Sequence, residues 1–333
     1  MATATLEQAP PSWISRIPLR ELGMIPAIAV AVLIGAIVSP VFLSTQNLVN
    51  ILQQSAELSI VVIAQALIVI CAKFDLSQES IVGFAPMLAA WLVVPATIGG
   101  AGLDIHPLVG IAIMFAVGAV IGAVNGLLVV KLGLNAFIAT LAMLILLRGA
   151  TLGIANGRTL SNLPTEFTFL GSTSALGIPL SVWIAGVLFV VATLFTRYHR
   201  LGRSLYVIGG NAHAAKAGGI RVDRVVIGVY VVGGLLAALA GLLFMGRLGA
   251  VTANQGQNMI FTVMAAIVIG GISLNGGRGT MFGALTGVLL LGVISNILTL
   301  SAISSFWIQA SQGAIILAAL IFQRMAGGER DDT

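Results

Sequence analysis

Long apolar runs separated by short polar connections are the feature of this sequence that most restricts its fold. A helix needs about 20 predominantly apolar residues to cross the hydrocarbon core of a bilayer. We place such runs at 22–43, 50–72, 78–97, 107–130, 134–155, 178–198, 223–246, 259–274, 279–300 and 303–323. Only 8% of the residues are charged, which is too few to cover a water-soluble surface. The sequence therefore predicts an all-α, polytopic transmembrane bundle with about ten spans.

The distribution of Lys and Arg orients these runs. With the N-terminus in the cytoplasm, thirteen of the 16 Lys and Arg residues fall on the cytoplasmic side, Arg158 and Arg247 fall outside, and Arg148 lies within a run. This asymmetry agrees with the positive-inside rule. We therefore expect a multi-pass protein of the bacterial cytoplasmic (inner) membrane with both termini in the cytoplasm. The corresponding regions are an N-terminal tail at 1–21, a transmembrane domain at 22–325 and a C-terminal tail at 326–333.

The sequence contains no enzyme or nucleic-acid motif. A Walker A sequence GxxxxGK[ST] is missing, so the chain has no P-loop for ATP, and its three histidines lack the spacing of metal ligands. The net charge of +5 comes from basic residues in the connections and not from a patch interleaved with aromatic residues. We expect a transport subunit with no cofactor, metal or catalytic site, whose energy comes from a partner or an ion gradient.

Two short breaks interrupt the apolar runs. The first, AKFDLSQES at 72–80, is either an inner loop that exposes Lys73, Asp75 and Glu79 or a broken helix that places Asp75 on a polar path inside the bundle. The second, GGISLNGGRG at 270–279, has five glycines and requires a sharp backbone course.

Several residues within the runs allow two interpretations. Arg148 is either a functional residue inside the bundle or a side chain that reaches back to the membrane interface. Asn125 and Asn135 either join helices or contact a solute. Small residues four apart predict close helix packing. These stripes are Gly118–Gly122–Gly126, Gly233–Ala237–Gly241 and Gly279–Gly283–Gly287.

The longest cytoplasmic connection, at about 199–222, has the pattern of a docking element. Asn211 is placed to cap the N-terminus of a short helix at 212–217, and Gly218 and Gly219 would end that helix. A short helix between two spans is suited to contact a soluble partner. The alternative is an amphipathic loop that rests on lipid headgroups.

Four stretches together resemble the ribose-type permease family of ABC importers. They are FDLS at 74–77, NAFIATLAMLILLRGATL at 135–152, RLGRSLYVIGGNAHAAKAGGI at 200–220 and AAIVIGGISLNGGRGTMFGALTGVLLLG at 265–292. The resemblance covers roughly residues 25–322. It implies a second permease copy, as a homodimer or a homologous pair. It also implies ATPase subunits that bind the ATP, and an extracytoplasmic solute-binding protein that delivers a monosaccharide.

The resemblance also suggests roles for individual residues in this chain. The ATPase-coupling segment at 203–222 would include Gly209, Gly210, Asn211, Ala214, Ala215, Gly218 and Ile220. The resemblance and the two breaks together suggest candidate residues for the translocation path. These are Phe74, Asp75, Ser77, Asn135, Phe137, Thr140, Arg148 and Asn275. The chain departs from the family pattern at His213, where the family commonly has Glu. It departs again at residues 78–80, Gln-Glu-Ser, where the family commonly has Val-Gly-Ser.

The sequence thus predicts the membrane-spanning permease subunit of an ABC importer for a sugar or sugar-like solute, driven by ATP hydrolysis on partner subunits. Its path is expected where two permease copies meet, lined mainly by small and apolar residues. An ABC permease for branched-chain amino acids or nucleosides and a purely structural membrane subunit are alternatives. A further alternative is an ion-coupled secondary transporter, in which Glu57, Asp75 and Glu79 are the carboxylates that could bind the coupling ion.

Overall fold

The computed structural model describes residues 24–327, which form a nearly all-α bundle. The tail predicted at 1–21 and most of the tail predicted at 326–333 lie outside the described residues. The helices are α1 (Met24–Val38), α2 (Thr45–Ile70), α3 (Gln78–Val93), α4 (Pro107–Val130), α5 (Ala136–Ala155), α6 (Thr165–Ser172), α7 (Leu180–Tyr198), α8 (Arg200–Gly210), α9 (Ala212–Ala217), α10 (Val222–Leu248), α11 (Met259–Ile269), α12 (Met281–Leu300) and α13 (Ser305–Gly327). A short 3-10 helix at Ala96–Ile98 follows α3.

The number of membrane crossings is the point on which structure and sequence differ. Among the described residues, six helices are long and apolar enough to cross a bilayer, namely α2, α4, α5, α7, α10 and α12. Helices α1, α3 and α11 are apolar but shorter, with 15, 16 and 11 residues. The expectation of about ten spans is therefore not confirmed by helix length. A helix the length of α11 extends only about 16 Å, roughly half of the hydrocarbon thickness.

Helix α11 is short because the glycine-rich break ends it at Gly270, whereas the sequence predicts a span that continues to residue 274. A Cβ atom on Gly270 would lie 2.5 Å from the carbonyl carbon of Gly283 in α12, so α12 passes directly against the chain at this point. Gly271, with φ +81°, then turns the backbone away from the helix axis. Tertiary packing therefore decides where this helix stops.

A small amount of β structure also departs from the all-α prediction. Strands β1 (Ser174–Ala175) and β2 (Ile178–Pro179) form an antiparallel hairpin just before α7. A single antiparallel bridge joins Leu160 to Val251. These elements lie in the connections and are too short to produce an alternating apolar pattern in the sequence.

The predicted small-residue stripes are confirmed as close helix contacts except at Gly279, which precedes α12 and has φ +127°. A Cβ atom on Gly118 of α4 would lie 2.5 Å from the carbonyl oxygen of Gly234 in α10, and one on Gly241 would lie 2.6 Å from the carbonyl oxygen of Val82 in α3. On α12, Gly283 contacts the backbone of the residue that ends α11. Because only hydrogen occupies these positions, the helix backbones gain dispersion contacts that lipid could not replace.

Helix α2 lies at the centre of the bundle. Its residues from 59 to 70 are all buried. Helix α5 lies at the surface instead, and the apolar side chains of Phe137, Ile138 and Ile145 are exposed there. A chain in lipid can expose such side chains without cost, because the lipid tails are as apolar as the side chains.

Connections predicted on the same side of the membrane contact one another. The two breaks, both predicted to be cytoplasmic, are joined by a hydrogen bond from the backbone N–H of Gly277 to the carbonyl oxygen of Ile70 at 2.9 Å. The bridge between Leu160 and Val251 joins two connections that are both predicted to lie outside. The contacts thus follow the alternation that the Lys and Arg distribution predicts.

Candidate functional site

The first break enters the bundle and does not form an exposed loop. Helix α2 ends at Ile70, Ala72 adopts a left-handed conformation with φ +56°, and α3 begins at Gln78. The side chains of Asp75 and Ser77 have no exposed surface, and Glu79 is 4% exposed. Asp75 and Glu79 are therefore not exposed as the inner-loop interpretation expects, and the break lies inside the bundle; a polar path along Asp75 stays a prediction.

A cluster of four buried polar side chains lies at this break, and we call it the break cluster: Asp75, Ser77, Asn125 and Thr140. The carboxylate oxygen Oδ1 of Asp75 accepts hydrogen bonds from the Ser77 backbone N–H at 3.0 Å and from its hydroxyl at 2.6 Å. Asn125 Nδ2 donates to Ser77 Oγ at 2.7 Å, and Thr140 Oγ1 accepts from the Leu76 N–H at 3.1 Å. The cluster thus joins the break to α4 and α5, while Asp75 Oδ2 and Asn125 Oδ1 stay buried without a hydrogen-bond partner among the described residues.

Arg148 forms an ion pair inside the bundle. Its Nη2 atom lies 2.8 Å from Oε1 of Glu79, and the two side chains are 16% and 6% exposed. The second oxygen of Glu79 accepts a hydrogen bond from the backbone N–H of Ile260 at 3.3 Å. Arg148 therefore does not reach back to the membrane interface. Glu79, a departure from the family pattern, supplies its counter-charge and connects α3, α5 and α11.

A second ion pair joins α2 to the end of α10. Arg247 donates from Nε to Glu57 Oε1 at 2.6 Å and from Nη2 to Glu57 Oε2 at 2.8 Å, in a bidentate geometry. The Glu57 side chain is 2% exposed. A sequence interpretation that places Arg247 in an outer connection misses this pair, because the residue lies in the last turn of α10 and its side chain reaches α2. Glu57, Asp75 and Glu79 thus all have protein donors.

The side chains of the remaining path candidates do not belong to the break cluster, although Phe74 and Phe137 lie next to it in the chain or contact it through the backbone. Asn135 caps the N-terminus of α5, where its Oδ1 accepts from the Ile138 N–H at 3.2 Å, and it is exposed. Phe137 is 47% exposed. Asn275 is exposed in the second break. The carbonyl oxygen of Phe74 accepts a hydrogen bond from the Tyr230 hydroxyl at 2.8 Å.

Tyr230 is a site residue that the sequence interpretation missed. Its ring is completely buried in α10, and its hydroxyl reaches the first break. The sequence contains one indication of this role, a single tyrosine within a long apolar run. A tyrosine buried there needs a hydrogen-bond partner for its hydroxyl group.

At Gly209 the coupling segment packs directly against the end of α2, just before the first break, and against the second break. A Cβ atom on Gly209, near the end of α8, would overlap the carbonyl oxygen of Ile70 and lie 2.5 Å from the nitrogen of Gly277. Gly277 itself donates to Ile70, as described above. We call these three residues, Ile70, Gly209 and Gly277, the glycine junction. Its contacts involve backbone atoms only, so the rotation of a side chain cannot absorb a movement of α8.

Helix α9 has the boundaries that the sequence predicts. The side chain of Asn211 caps it by accepting a hydrogen bond from the Ala214 N–H at 2.9 Å. Gly218 is its C-cap, and Gly219 follows with φ +83°. Most of its side chains are exposed, but Ala215 is buried against its own subunit, together with part of Ile220. Ala215 and Ile220 therefore anchor α9, and the other side chains form its free surface.

Within residues 24–327, no group of three or more His, Cys, Asp or Glu side chains is placed to hold a metal ion. The geometry instead links an exposed cytoplasmic helix to two broken helices inside an apolar bundle. Such a fold and site define a polytopic transport subunit of the membrane.

Comparison with known proteins identifies the kind of transport subunit. The chain belongs to the family described as branched-chain amino acid transport system / permease component, whose model matches residues 47–322. It is 37% identical to the ribose import permease of Escherichia coli (strain K12) over 307 residues, which are 91% of this chain and 93% of the relative. No solved structure matches the chain.

Two further relatives extend the comparison. The ribose import permease of Bacillus subtilis (strain 168) is 35% identical over 308 residues, 92% of this chain and 93% of the relative. The autoinducer 2 import system permease of Enterobacter sp. (strain 638) is 35% identical over 305 residues, 91% of this chain and 86% of the relative. The chain is therefore a membrane-spanning permease subunit of an ABC importer.

Proposed function

We propose that this permease imports a sugar or sugar-like solute and that ATP hydrolysis on partner ATPase subunits drives the import. The cargo proposal rests on the likeness to ribose and autoinducer 2 import permeases over about nine tenths of the chain. The observation that carries ATP-driven coupling is α9, an exposed helix one residue away from the α8 end that contacts both breaks.

The coupling would proceed from the docking surface to the breaks. The ATPase subunit contacts the free surface of α9, which Ala215 anchors to the bundle. Movement of α9 displaces the end of α8, and Gly209 transmits the displacement to the backbone of Ile70 and Gly277. Both broken helices then shift together, because the Gly277–Ile70 hydrogen bond joins them.

We further propose ten crossings with both termini in the cytoplasm. The shorter apolar helices α1, α3 and α11, together with α13, would complete the spans. The chain can cross a membrane without a full-length helix where protein buries the irregular backbone. The connection before α11 meets this condition, since Val251, Ala253 and Gln255 are buried.

The remaining partners are a solute-binding protein on the outer side and a second permease copy. The exposed apolar face of α5 is suited to the second copy, which would place the path between two subunits and leave the isolated subunit with low affinity for the solute. Of the three carboxylates that an ion-coupled carrier could use, Glu57 and Glu79 are in ion pairs, and Asp75 accepts hydrogen bonds from Ser77. This arrangement favours an ATP-driven permease over an ion-coupled carrier.

The docking proposal is tested by Gly218→Val. Gly218 has φ −77°, and a Cβ atom there would meet only carbonyl oxygens of its own helix at 3.5 and 3.6 Å. Valine therefore fits within this subunit, and its side chain projects towards the surface that the ATPase subunit would contact. We expect the variant to reach the membrane in normal amount but to lose solute uptake and ATPase co-purification.

A matched control is Gly186→Val in α7, where a Cβ atom also meets open space. This variant should retain uptake, because Gly186 lies near the start of α7, far along the helix from the connection that follows Tyr198. Normal uptake and normal ATPase association in Gly218→Val would show that this segment is not the docking site.

A further inference from the structure

A polar cleft lies where the outward ends of α11 and α13 meet. It has a volume of about 330 Å³. Four amide and two hydroxyl side chains line most of it: Gln257, Asn258, Gln309, Gln312, Thr262 and Ser305. None of the eight lining residues carries a charge. We propose that this cleft is a low-affinity binding site for an uncharged, polyhydroxylated solute, an inference that rests on the proposed import of sugar.

Some of the lining side chains are held by hydrogen bonds within the protein, and others make no such bond and can bind a ligand. Thr262 Oγ1 donates to Gln312 Oε1 at 3.2 Å, and Gln312 Nε2 donates to Ser295 Oγ at 3.4 Å. The side chains of Gln257 and Gln309 make no hydrogen bond to any described residue. Each free amide therefore offers two N–H donors and a carbonyl acceptor to a ligand.

The side-chain amide of Asn258, at the start of α11, is also free to bind a ligand. It occupies the N-cap position, where an Asn side chain ordinarily accepts a hydrogen bond from the helix, but here it makes no such bond. Its backbone is left-handed, with φ +64°, a conformation that Asn tolerates better than most residues. The Asn258 side chain is therefore available to a ligand in the cleft.

The chemistry of the cleft selects among the possible solutes. Amides and hydroxyls match sugar hydroxyl groups, which both donate and accept hydrogen bonds. An amino acid would bring an ammonium and a carboxylate group into a cleft with no opposite charges, and its desolvation would not be compensated. The volume lies at the lower end of the roughly 300–1,000 Å³ range of small-molecule sites, as suits a monosaccharide.

The position of the cleft connects it to the buried site. Met259, which also lines the cleft, precedes Ile260, and the Ile260 N–H donates to Glu79 Oε2 at 3.3 Å. Glu79 in turn pairs with Arg148. A solute in the cleft would therefore contact Met259, whose neighbour Ile260 binds the ion pair that connects α3, α5 and α11. The cleft would receive the solute on the outer side before it passes towards the breaks.

The test uses the permease–ATPase complex in lipid nanodiscs without the solute-binding protein, so that any bound solute is bound by the membrane complex. Saturation-transfer NMR with millimolar D-ribose and, separately, L-leucine detects weak binding. The variant is Gln257→Leu combined with Gln309→Leu, which keeps side-chain size and removes the free amides. The control is Gln46→Leu, the same substitution at an exposed amide outside the cleft.

We expect a D-ribose signal for the wild type and the control, no comparable L-leucine signal, and a D-ribose signal at least about fivefold weaker in the double variant. Loss of one neutral hydrogen bond of about 1 kcal/mol already weakens binding about fivefold. Equal D-ribose signals in wild type and double variant, a wild type without a signal, or equal signals for both solutes would overturn the proposal.

ATP-driven uptake separates this inference from the function on which it rests. With the solute-binding protein present, the double variant should require a higher sugar load for half-maximal uptake than Gln46→Leu requires. Unchanged uptake in the double variant would refute the cleft and leave sugar import intact. A wild-type complex that hydrolyses ATP but imports no sugar would refute the proposed function itself.

Discussion

Replacement of Gly209 by alanine should uncouple ATP hydrolysis from transport. The added methyl group would overlap the carbonyl oxygen of Ile70 and lie 2.5 Å from the nitrogen of Gly277, where ordinary contacts begin at 3.4 Å. The end of α8 must therefore move by roughly 1 Å from at least one of the two breaks. We expect the Gly277–Ile70 hydrogen bond to be strained or lost as well.

The size of the effect follows from the rigidity of the contact. Extra methyl groups in a well-packed site cost about 1–3 kcal/mol, and here the opposing atoms belong to the backbone and cannot rotate aside. A change of that size shifts an equilibrium by about 5- to 150-fold. We therefore expect solute uptake per ATP hydrolysed to fall at least about fivefold.

The assay compares uptake and ATP hydrolysis in proteoliposomes that contain the complete transporter. Gly210→Ala is the matched control, because a Cβ atom at the neighbouring glycine meets nothing within 4 Å. The control should retain wild-type coupling. Since α9 lies beyond the junction, both variants should still co-purify with the ATPase subunits. Wild-type uptake per ATP in Gly209→Ala would refute the role of the junction.

Two further predictions address stability and topology. Arg247→Leu leaves the buried carboxylate of Glu57 without its counter-charge and should lower the free energy of unfolding by about 3–5 kcal/mol, measured by denaturant titration of the purified permease; a loss below about 1 kcal/mol would contradict this. In a Cys71→Ser background, an impermeant thiol reagent added to intact cells should label Thr165→Cys and spare Ala214→Cys, and the reverse pattern would contradict the topology.

Features encoded by neighbouring residues could be predicted from the sequence. The limits of α9 are set by the cap at Asn211 and by Gly218 and Gly219, all within a few positions of the helix. The small-residue stripes likewise identify packed faces, because close helix approach requires small side chains regardless of the partner helix. Local chemistry is sufficient for both.

Features that depend on distant partners could not be predicted. The Arg148–Glu79 pair joins residues 69 positions apart, and the Arg247–Glu57 pair joins residues 190 positions apart. Each charge taken alone has several placements that are physically acceptable. The end of α11 at Gly270 depends in the same way on α12, which packs against it.

The outer cleft illustrates the same limit. Its amides come from the start of α11 and the start of α13, some 50 residues apart, as the Thr262–Gln312 hydrogen bond shows. In the sequence these residues are scattered polar positions at the ends of apolar runs. Only the packing of the two helices brings them into one uncharged surface.

Reconstituted transport tests the central claim most directly. Proteoliposomes would contain this permease with its ATPase subunits, with the solute-binding protein outside and ATP inside, and radiolabelled D-ribose, other monosaccharides and L-leucine would be offered in turn. The account predicts ATP-dependent accumulation of at least one monosaccharide and none of L-leucine. Accumulation of L-leucine without any monosaccharide, or sugar uptake that persists without ATP, would contradict it.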